Sequence, residues 1–199
     1  MQVIVLEQNV TYDGSQIQSL WAFRDHNITG SSIIVFRGAM RVPKSEMIDL
    51  KDIKREEHLG EYLITADDAL NFIIEHFEDQ PPNLRLMYFR LRVLVLCTLE
   101  TLQKRTKEKI LRKGTDLFFK DGKLNVGIAS TSSISGKIHL ALNISNTGVP
   151  AYVKIASFKD LGIEDDPLAL GKELAERYVT ELEAIEGDIC KSQPLSGER

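Results

Sequence analysis

A chain of 199 residues with 43% hydrophobic and 27% charged residues has ordinary globular composition and is long enough for one substantial core. Its net charge of −4 and pI of about 5.6 offer no broad attraction for nucleic acid. The most apolar stretch, Leu84 to Leu102, is interrupted by Arg85, Arg90 and Arg92, which makes it too costly as a bilayer span. No nucleic-acid partner and no membrane association are therefore expected.

The N-terminus, MQVIVLEQNV, has no basic leader before a long apolar run, so no secretion signal is expected. Cys97 and Cys190 are too few and too differently placed for a disulfide framework, which fits a reducing, cytoplasmic setting. Val3 to Leu6 and Ile33 to Phe36 read as strands, with turn chemistry at Gly30-Ser31-Ser32. The segment Arg37 to Pro43, bracketed by Gly38 and Pro43, reads as a loop or strand exit, and the charged stretch Asp49 to Glu61 as surface.

Thr65 followed by Asp67 and Asp68 predicts a helix N-terminus, with Leu70, Ile73, Ile74 and Phe77 at helical spacing up to Pro81-Pro82. A second, central helix is predicted from about Leu84 to Lys107. The basic run Lys104, Arg105, Lys107, Lys109, Arg112 and Lys113 reads as its solvated C-terminal end. Leu117-Phe118-Phe119 and Leu124 to Ile128 flank Lys120-Asp121-Gly122-Lys123, where Asp-Gly predicts a type I′ hairpin turn. From Lys137 to Ser145 the alternation predicts a half-buried strand, with Ile138, Leu140, Leu142 and Ile144 pointing one way and Lys137, His139, Ala141, Asn143 and Ser145 the other. Asp166 as N-cap and Pro167 at the first turn open a last helix with Leu170, Leu174, Tyr178, Leu182 and Ile185 on one stripe, and Gly187 can end it. Residues 191–199 have tail composition, and no repeat or linker divides 1–190, so one mixed α+β domain is expected, with a mainly antiparallel sheet packed by helices.

The hydroxyl-rich connection Ser130-Thr131-Ser132-Ser133-Ile134-Ser135-Gly136 has the length that joins neighbouring antiparallel strands. Pairing through it would set Gly127 opposite His139, Asn125 opposite Ala141 and Lys123 opposite Asn143, all on one face. That face is either a solvated sheet surface or a platform on which a small ligand lies flat over Gly127 and Ala141. The loop's hydroxyls, Thr131, Ser133 and Ser135 among them, suit phosphate or carboxylate oxygens, and they also suit an ordinary turn. His58 amid Glu56, Glu57 and Glu61, and His76 beside Glu75, Glu78 and Asp79, have metal-compatible types without a recognised spacing, so no metal site is expected. The sequence identifies no cofactor, and no nucleophile paired with a base is visible.

The succession Gly114-Thr115-Asp116-Leu117, Gly122-Lys123-Leu124, Gly127-Ile128 and Leu140-Ala141-Leu142-Asn143-Ile144 resembles the core of biotin and lipoate protein ligases. Over most of residues 30 to 190 the chain also looks like an uncharacterised prokaryotic family, a domain of unknown function associated with that ligase fold. That likeness rests on Phe36-Arg37-Gly38, Ile73-Ile74-Glu75-His76-Phe77, the Asp116-Leu117 turn and Ile138-His139. Two departures stand out. The second lysine of the ligases' Gly-Lys-Lys is Leu124 here, with Lys123 one residue away and so, by strand parity, on the opposite face. The Arg-Gly-Gly loop that covers the adenylate is reduced to Arg37-Gly38-Ala39.

Two functions follow as expectations. In the first, a small carboxylate or nucleotide-like ligand binds over the polar sheet face for acyl or nucleotidyl transfer. Asp116, Lys123 and His139 would carry the chemistry, with His139 as donor or proton carrier, and Arg37, Gly38, Asn125, Gly127, Thr131, Ser133, Ser135 and Asn143 would hold the ligand. In the second, a non-catalytic binding or assembly module has kept the fold without the catalytic lysine. A homodimer is a plausible assembly for either, with no interface legible in the sequence.

Overall fold

In the computed structural model the described residues are 1–50, 54, 62–149 and 153–192, with Tyr62 and Leu63 described at the backbone only. The charged stretch around His58 lies largely outside them, as does the tail from residue 193.

The β-branched run at the N-terminus forms β1 (Gln2–Leu6), parallel to the first half of β2 (Ser32–Pro43). Strand β2 does not stop at Phe36 as the sequence suggests. Arg37 to Pro43 continue it, because β3 (Tyr62–His76) supplies antiparallel partners as far as Pro43, with a register shift between Gly38 and Met40. Residues 10–12 run along this second half through Val10 N to Arg37 O (3.0 Å) and Tyr12 N to Ala39 O (2.8 Å). The crossing is tight enough to need glycine, since a Cβ on Gly38 would lie 2.0 Å from the Val10 carbonyl oxygen.

The expected helix from Thr65 to Phe77 is strand β3 instead. Its central residues are paired on both sides, with β2 and with β8 (Gly136–Asn143), and are buried on both faces. Leu70, Phe72 and Ile74 enter one core, while Ala69 and Ile73 enter the other. A strand covered on both faces reads as an apolar run, and such a run imitates helical spacing.

Strand β8 pairs with β7 (Asn125–Thr131), giving a five-stranded sheet of order β1-β2-β3-β8-β7, antiparallel apart from β1-β2. One face carries α2 (Leu84–Gln103) and the last helix, packed on Ile33, Val35, Leu70, Phe72, Ile138 and Leu140. The other face is covered by the N-terminal segment, including α1 (Trp21–His26), over Ile34, Phe36, Ile73 and Ala141. Strand β8 is consequently buried along its whole length, not half-buried, and ends at Asn143.

Helix α2 is amphipathic more than central, burying Met87, Leu91, Leu94, Val95 and Leu102 while Phe89 stays exposed. It ends at Gln103, so the basic run is not its C-terminal turn. Arg105 reaches Asp165 (3.0 Å) and Glu173, and Arg112 and Lys113 belong to β4 (Ile110–Lys113). With β5 (Asp116–Phe119) and β6 (Gly122–Lys123), β4 makes a small second sheet. The predicted hairpin exists, yet its turn is Lys120-Asp121, with Lys120 left-handed at φ 52° and Gly122 already in β6 opposite Phe119. After a short α3 (Phe158–Leu161), helix α4 (Pro167–Ile189) starts as expected, with Ala169 N donating to the Asp166 carboxylate at 3.0 Å, and runs past Gly187. Cys97 and Cys190 are both free. No helix among the described residues is long and apolar enough to cross a membrane.

Candidate functional site

The register of β7 on β8 decides which side chains meet. Ile128 lies opposite His139 and Gly127 opposite Leu140, one residue away from the expected pairing. A one-residue slip turns every β7 side chain to the other face. Asn125 and Gly127 therefore face away from His139. A Cβ on Gly127 would come 3.4 Å from Leu91 of α2. Asn125 is fully buried; its Oδ1 accepts from Leu117 N (2.7 Å) and its Nδ2 donates to Thr115 O (3.0 Å), tying the small sheet to the large one.

A cavity of about 310 Å³ opens on the face that His139 does occupy. Val126 and Ile128 of β7, Met40 and Val42 of β2, and Met47 and Ile48 give it an apolar wall. Its polar lining includes Asp116, Lys123, Asn143 and His139. Lys123 Nζ stands 2.9 Å from Asp116 Oδ1, and both side chains are about one-third exposed, at 32%. Parity does not carry Lys123 away from the site, because β6 belongs to the small sheet and its facing is independent of β7.

The backbone of Lys123 is held from two sides. Asn143 Nδ2 donates to Lys123 O and to Ala156 O, each at 3.1 Å, and Lys123 N donates to Lys154 O at 3.0 Å. Gly122 allows that approach, since a Cβ there would meet Ile155 O at 2.5 Å. Asn143 thus positions the lysine, and only in that sense does it serve the site.

His139 differs from expectation. Its Nε2–H donates to Asn71 Oδ1 (3.1 Å), because Asn71 Nδ2 is turned to Ala69 O. Its ring stacks on Tyr12 at 3.7 Å between centroids. Burial lowers its pKa to about 3, so at neutral pH it is an uncharged hydrogen-bond donor and not a proton carrier.

Arg37 and Gly38 lie elsewhere. Arg37 pairs with Asp68 through two bonds of 2.8 and 2.7 Å, and Gly38 lies under Val10. Of the loop hydroxyls, Thr131 lines a second cavity with Ser132 and Lys137, Ser133 is exposed, and Ser135 is buried on Glu75 at 2.6 Å. The structure thus brings Asp116, Lys123, His139 and Asn143 together, keeps Asn125 and Gly127 in the lining of the same cavity although they face away from His139, and does not bring Arg37, Gly38, Ser133 or Ser135 to them. Among the described residues no group of three His, Cys, Asp or Glu side chains is placed to hold a metal ion.

Sequence reasoning missed the cover of the cavity: Tyr12, Glu46 and the Met47-Ile48 pair come from segments laid over the sheet. No periodicity marks them. It also missed the fully buried Glu75–Lys137 pair (3.1 Å), joined across β3 and β8, since Glu75 was expected on a helix.

Known proteins agree with this architecture. An uncharacterised protein of Methanocaldococcus jannaschii is 40% identical over 195 residues, covering 98% of this chain and 86% of its own. A solved protein of unknown function from Pyrococcus horikoshii superposes with a TM-score of 0.87 at 32% identity, over 98% of this chain and 99% of its own. Biotin protein ligase from Aquifex aeolicus, in complex with biotin and ATP, follows at a TM-score of 0.61 and 16% identity, covering 94% of this chain and 72% of its own. The putative lipoate protein ligase Ta0514 of T. acidophilum, with bound lipoic acid, superposes at 0.57 and 11% identity, over 92% and 86%. The ligase-like fold is therefore shared. The sequence matches the profile of one family over residues 1–193, and the chain belongs to that family, the domain of unknown function DUF366.

Proposed function

We propose that the cavity over β7 and β8 binds a small carboxylate or nucleotide-like molecule, with Lys123 facing its anionic group and Asp116 anchoring a hydroxyl or amine. The observation that carries this reading is the Lys123–Asp116 pair at 2.9 Å in the wall of a cavity lined in equal part by polar and apolar groups. Apolar walls with a few convergent polar groups are the usual make-up of small-molecule sites. Structures of the same fold with biotin and ATP, or with lipoic acid, support the choice of ligand class. Acyl or nucleotidyl transfer is the reaction class, in which the Lys123 ammonium offsets charge developing on the transferred group.

A second reading, a binding module without chemistry, is favoured by one observation: His139 is buried, neutral and already bonded, so it supplies the cavity with no proton carrier.

A thermal-shift screen against ATP, biotin, lipoate and octanoate tests ligand binding, because a ligand at a hundred times its Kd stabilises the native state by about 2.7 kcal/mol. A shift is expected with at least one ligand and is lost in Lys123→Ala. Absence of any shift would overturn the reading. Pyrophosphate exchange from ATP in the presence of the binding acid then separates transfer chemistry from binding alone.

A further inference from the structure

The second cavity, also about 310 Å³, lies beside the first. The two share Glu46, Met47 and Ile48 as a common wall. They also follow one another along the same sheet face: Ile128 and His139 line the first, Ser130 and Lys137 the second, and Ile128 pairs with His139 as Ser130 pairs with Lys137. From Asn143 to Lys137 this strand face measures roughly 20 Å.

The far end of the second cavity is built from buried groups. Lys137, 2% exposed at its side chain, donates to Glu75 Oε2 at 3.1 Å. The other Glu75 oxygen accepts from Leu20 N (2.9 Å) and Ser135 Oγ (2.6 Å). Both Glu75 oxygens are thereby bonded. The ammonium is not saturated: it has three donors, and no described residue other than Glu75 accepts from it. Ser132 also lines this end, but its Oγ is already engaged with Ser19 and Ser135 and accepts from the Ile134 and Ser135 amides, which leaves Lys137 as the group with donors to spare.

Charge decides what this end accepts. Glu75 cancels Lys137, so the buried pair offers hydrogen-bond donors without net positive charge of its own, and the cation that also acts on Lys137, Arg24, is solvent-exposed. Glu46, in the shared wall, puts a carboxylate between the two compartments. A second anion there would face Glu46, whereas an amide-type group can accept from Lys137 and donate to Glu46.

Building on the proposed function, we infer that the two cavities form one elongated site, and that its ligand is an acid with its carboxylate at Lys123 and an uncharged amide-type head at Lys137. A plain alkyl acid leaves the buried donors of Lys137 unmatched, and a dicarboxylic acid meets Glu46.

Isothermal titration of the full chain with monocarboxylates, dicarboxylates and ω-amide acids from octanoate, suberate and suberamate upwards tests this, the longest members being chosen to match a site of roughly 20 Å. Within the series that fits, the ω-amide acid is expected to bind about tenfold more tightly than the matching monocarboxylate and dicarboxylate, the worth of one good hydrogen bond to a charged donor. The advantage should vanish in Glu75→Gln/Lys137→Met, which removes the pair without stranding a charge. If the double variant does not fold, Glu46→Gln, which leaves Lys137 in place, serves instead: it should let the dicarboxylate bind as tightly as the ω-amide acid, and a dicarboxylate still disfavoured there overturns the role of Glu46. Binding of the monocarboxylates with no amide advantage overturns the two-compartment site and leaves the proposed function standing. An amide advantage that survives the double variant overturns the role of Lys137. Failure of every acid to bind overturns both readings.

Discussion

Two lysine–carboxylate pairs stand at the two ends of one sheet face, and they differ in almost everything except their chemistry. Lys123–Asp116 is 32% exposed on each side, joins two strands of the small sheet and can exchange its partner for solvent or a ligand. Glu75–Lys137 is 2% exposed on each side, joins adjacent central strands and has both carboxylate oxygens bonded. An exposed pair contributes little to stability but leaves its groups available; a buried pair tolerates the loss of neither partner. Burial pulls the Lys137 ammonium down from its ordinary pKa while Glu75 pulls it back up, so its charge depends on that carboxylate.

The largest expected effect comes from splitting the buried pair. Glu75→Leu strands the Lys137 ammonium between β3 and β8 and should cost about 3–5 kcal/mol, read as a lowered midpoint in urea denaturation. Glu75→Leu/Lys137→Met should recover much of that loss. If the single variant is as stable as the native chain, the buried pair is not structural and the contrast fails.

Acidification probes the strip between the two ends. His139 has a folded pKa of about 3 against an ordinary 6.5, because burial penalises its cation, and His76 is lowered by burial too, against an opposing bond to Glu78. Below pH 6.5 the unfolded chain takes up protons that these native imidazoles refuse, so stability falls as pH drops. The slope approaches about 1.4 kcal/mol per pH unit for each proton. The window is cleanest between pH 6.5 and about 5.5, above the range in which carboxylates titrate. Among the described residues His139 is stacked on Tyr12 and bonded to Asn71, both uncharged. His139→Gln keeps a donor to Asn71 and should flatten the pH dependence of the urea midpoint. An unchanged slope would mean that His139 is open to protons in the native state.

The same contrast explains what the sequence reveals. Strands β1 and β8 and helices α2 and α4 are legible because β-branched runs, alternation or capping residues mark them, as Asp166-Pro167 marks α4. Strand β3 is not, because Phe72 and Ile74 enter one core and Ile73 the other, which erases the alternation that a one-sided strand shows. With β3 read as a helix, Glu75 could not be set opposite Lys137, and the buried pair was invisible. The exposed pair was half legible: Asp116 and Lys123 bracket the Lys120-Asp121 turn, and antiparallel pairing of so short a hairpin keeps them close. What the local pattern does not carry is register across the Ser130–Ser135 connection. One residue of slip there sends Asn125 into the β5–β7 junction and Gly127 against α2.

The smallest effect on stability, and the largest on ligand, is expected at the exposed pair. Asp116→Asn removes a charge at a site where solvent already screens it, so the urea midpoint should move by less than about 1 kcal/mol. Lys123→Ala should behave alike in stability, since Asn143 and the 153–156 segment hold the lysine by its backbone and not by its ammonium. Their ligand effects should differ in sign for an anion. Lys123→Ala removes the attraction and abolishes the thermal shift, whereas Asp116→Asn releases the ammonium from its internal partner and should preserve or strengthen carboxylate binding. Loss of binding in both variants would instead mean that Asp116 itself touches the ligand, through a hydroxyl or amine. That outcome would move the choice from a simple carboxylate towards a nucleotide-like molecule.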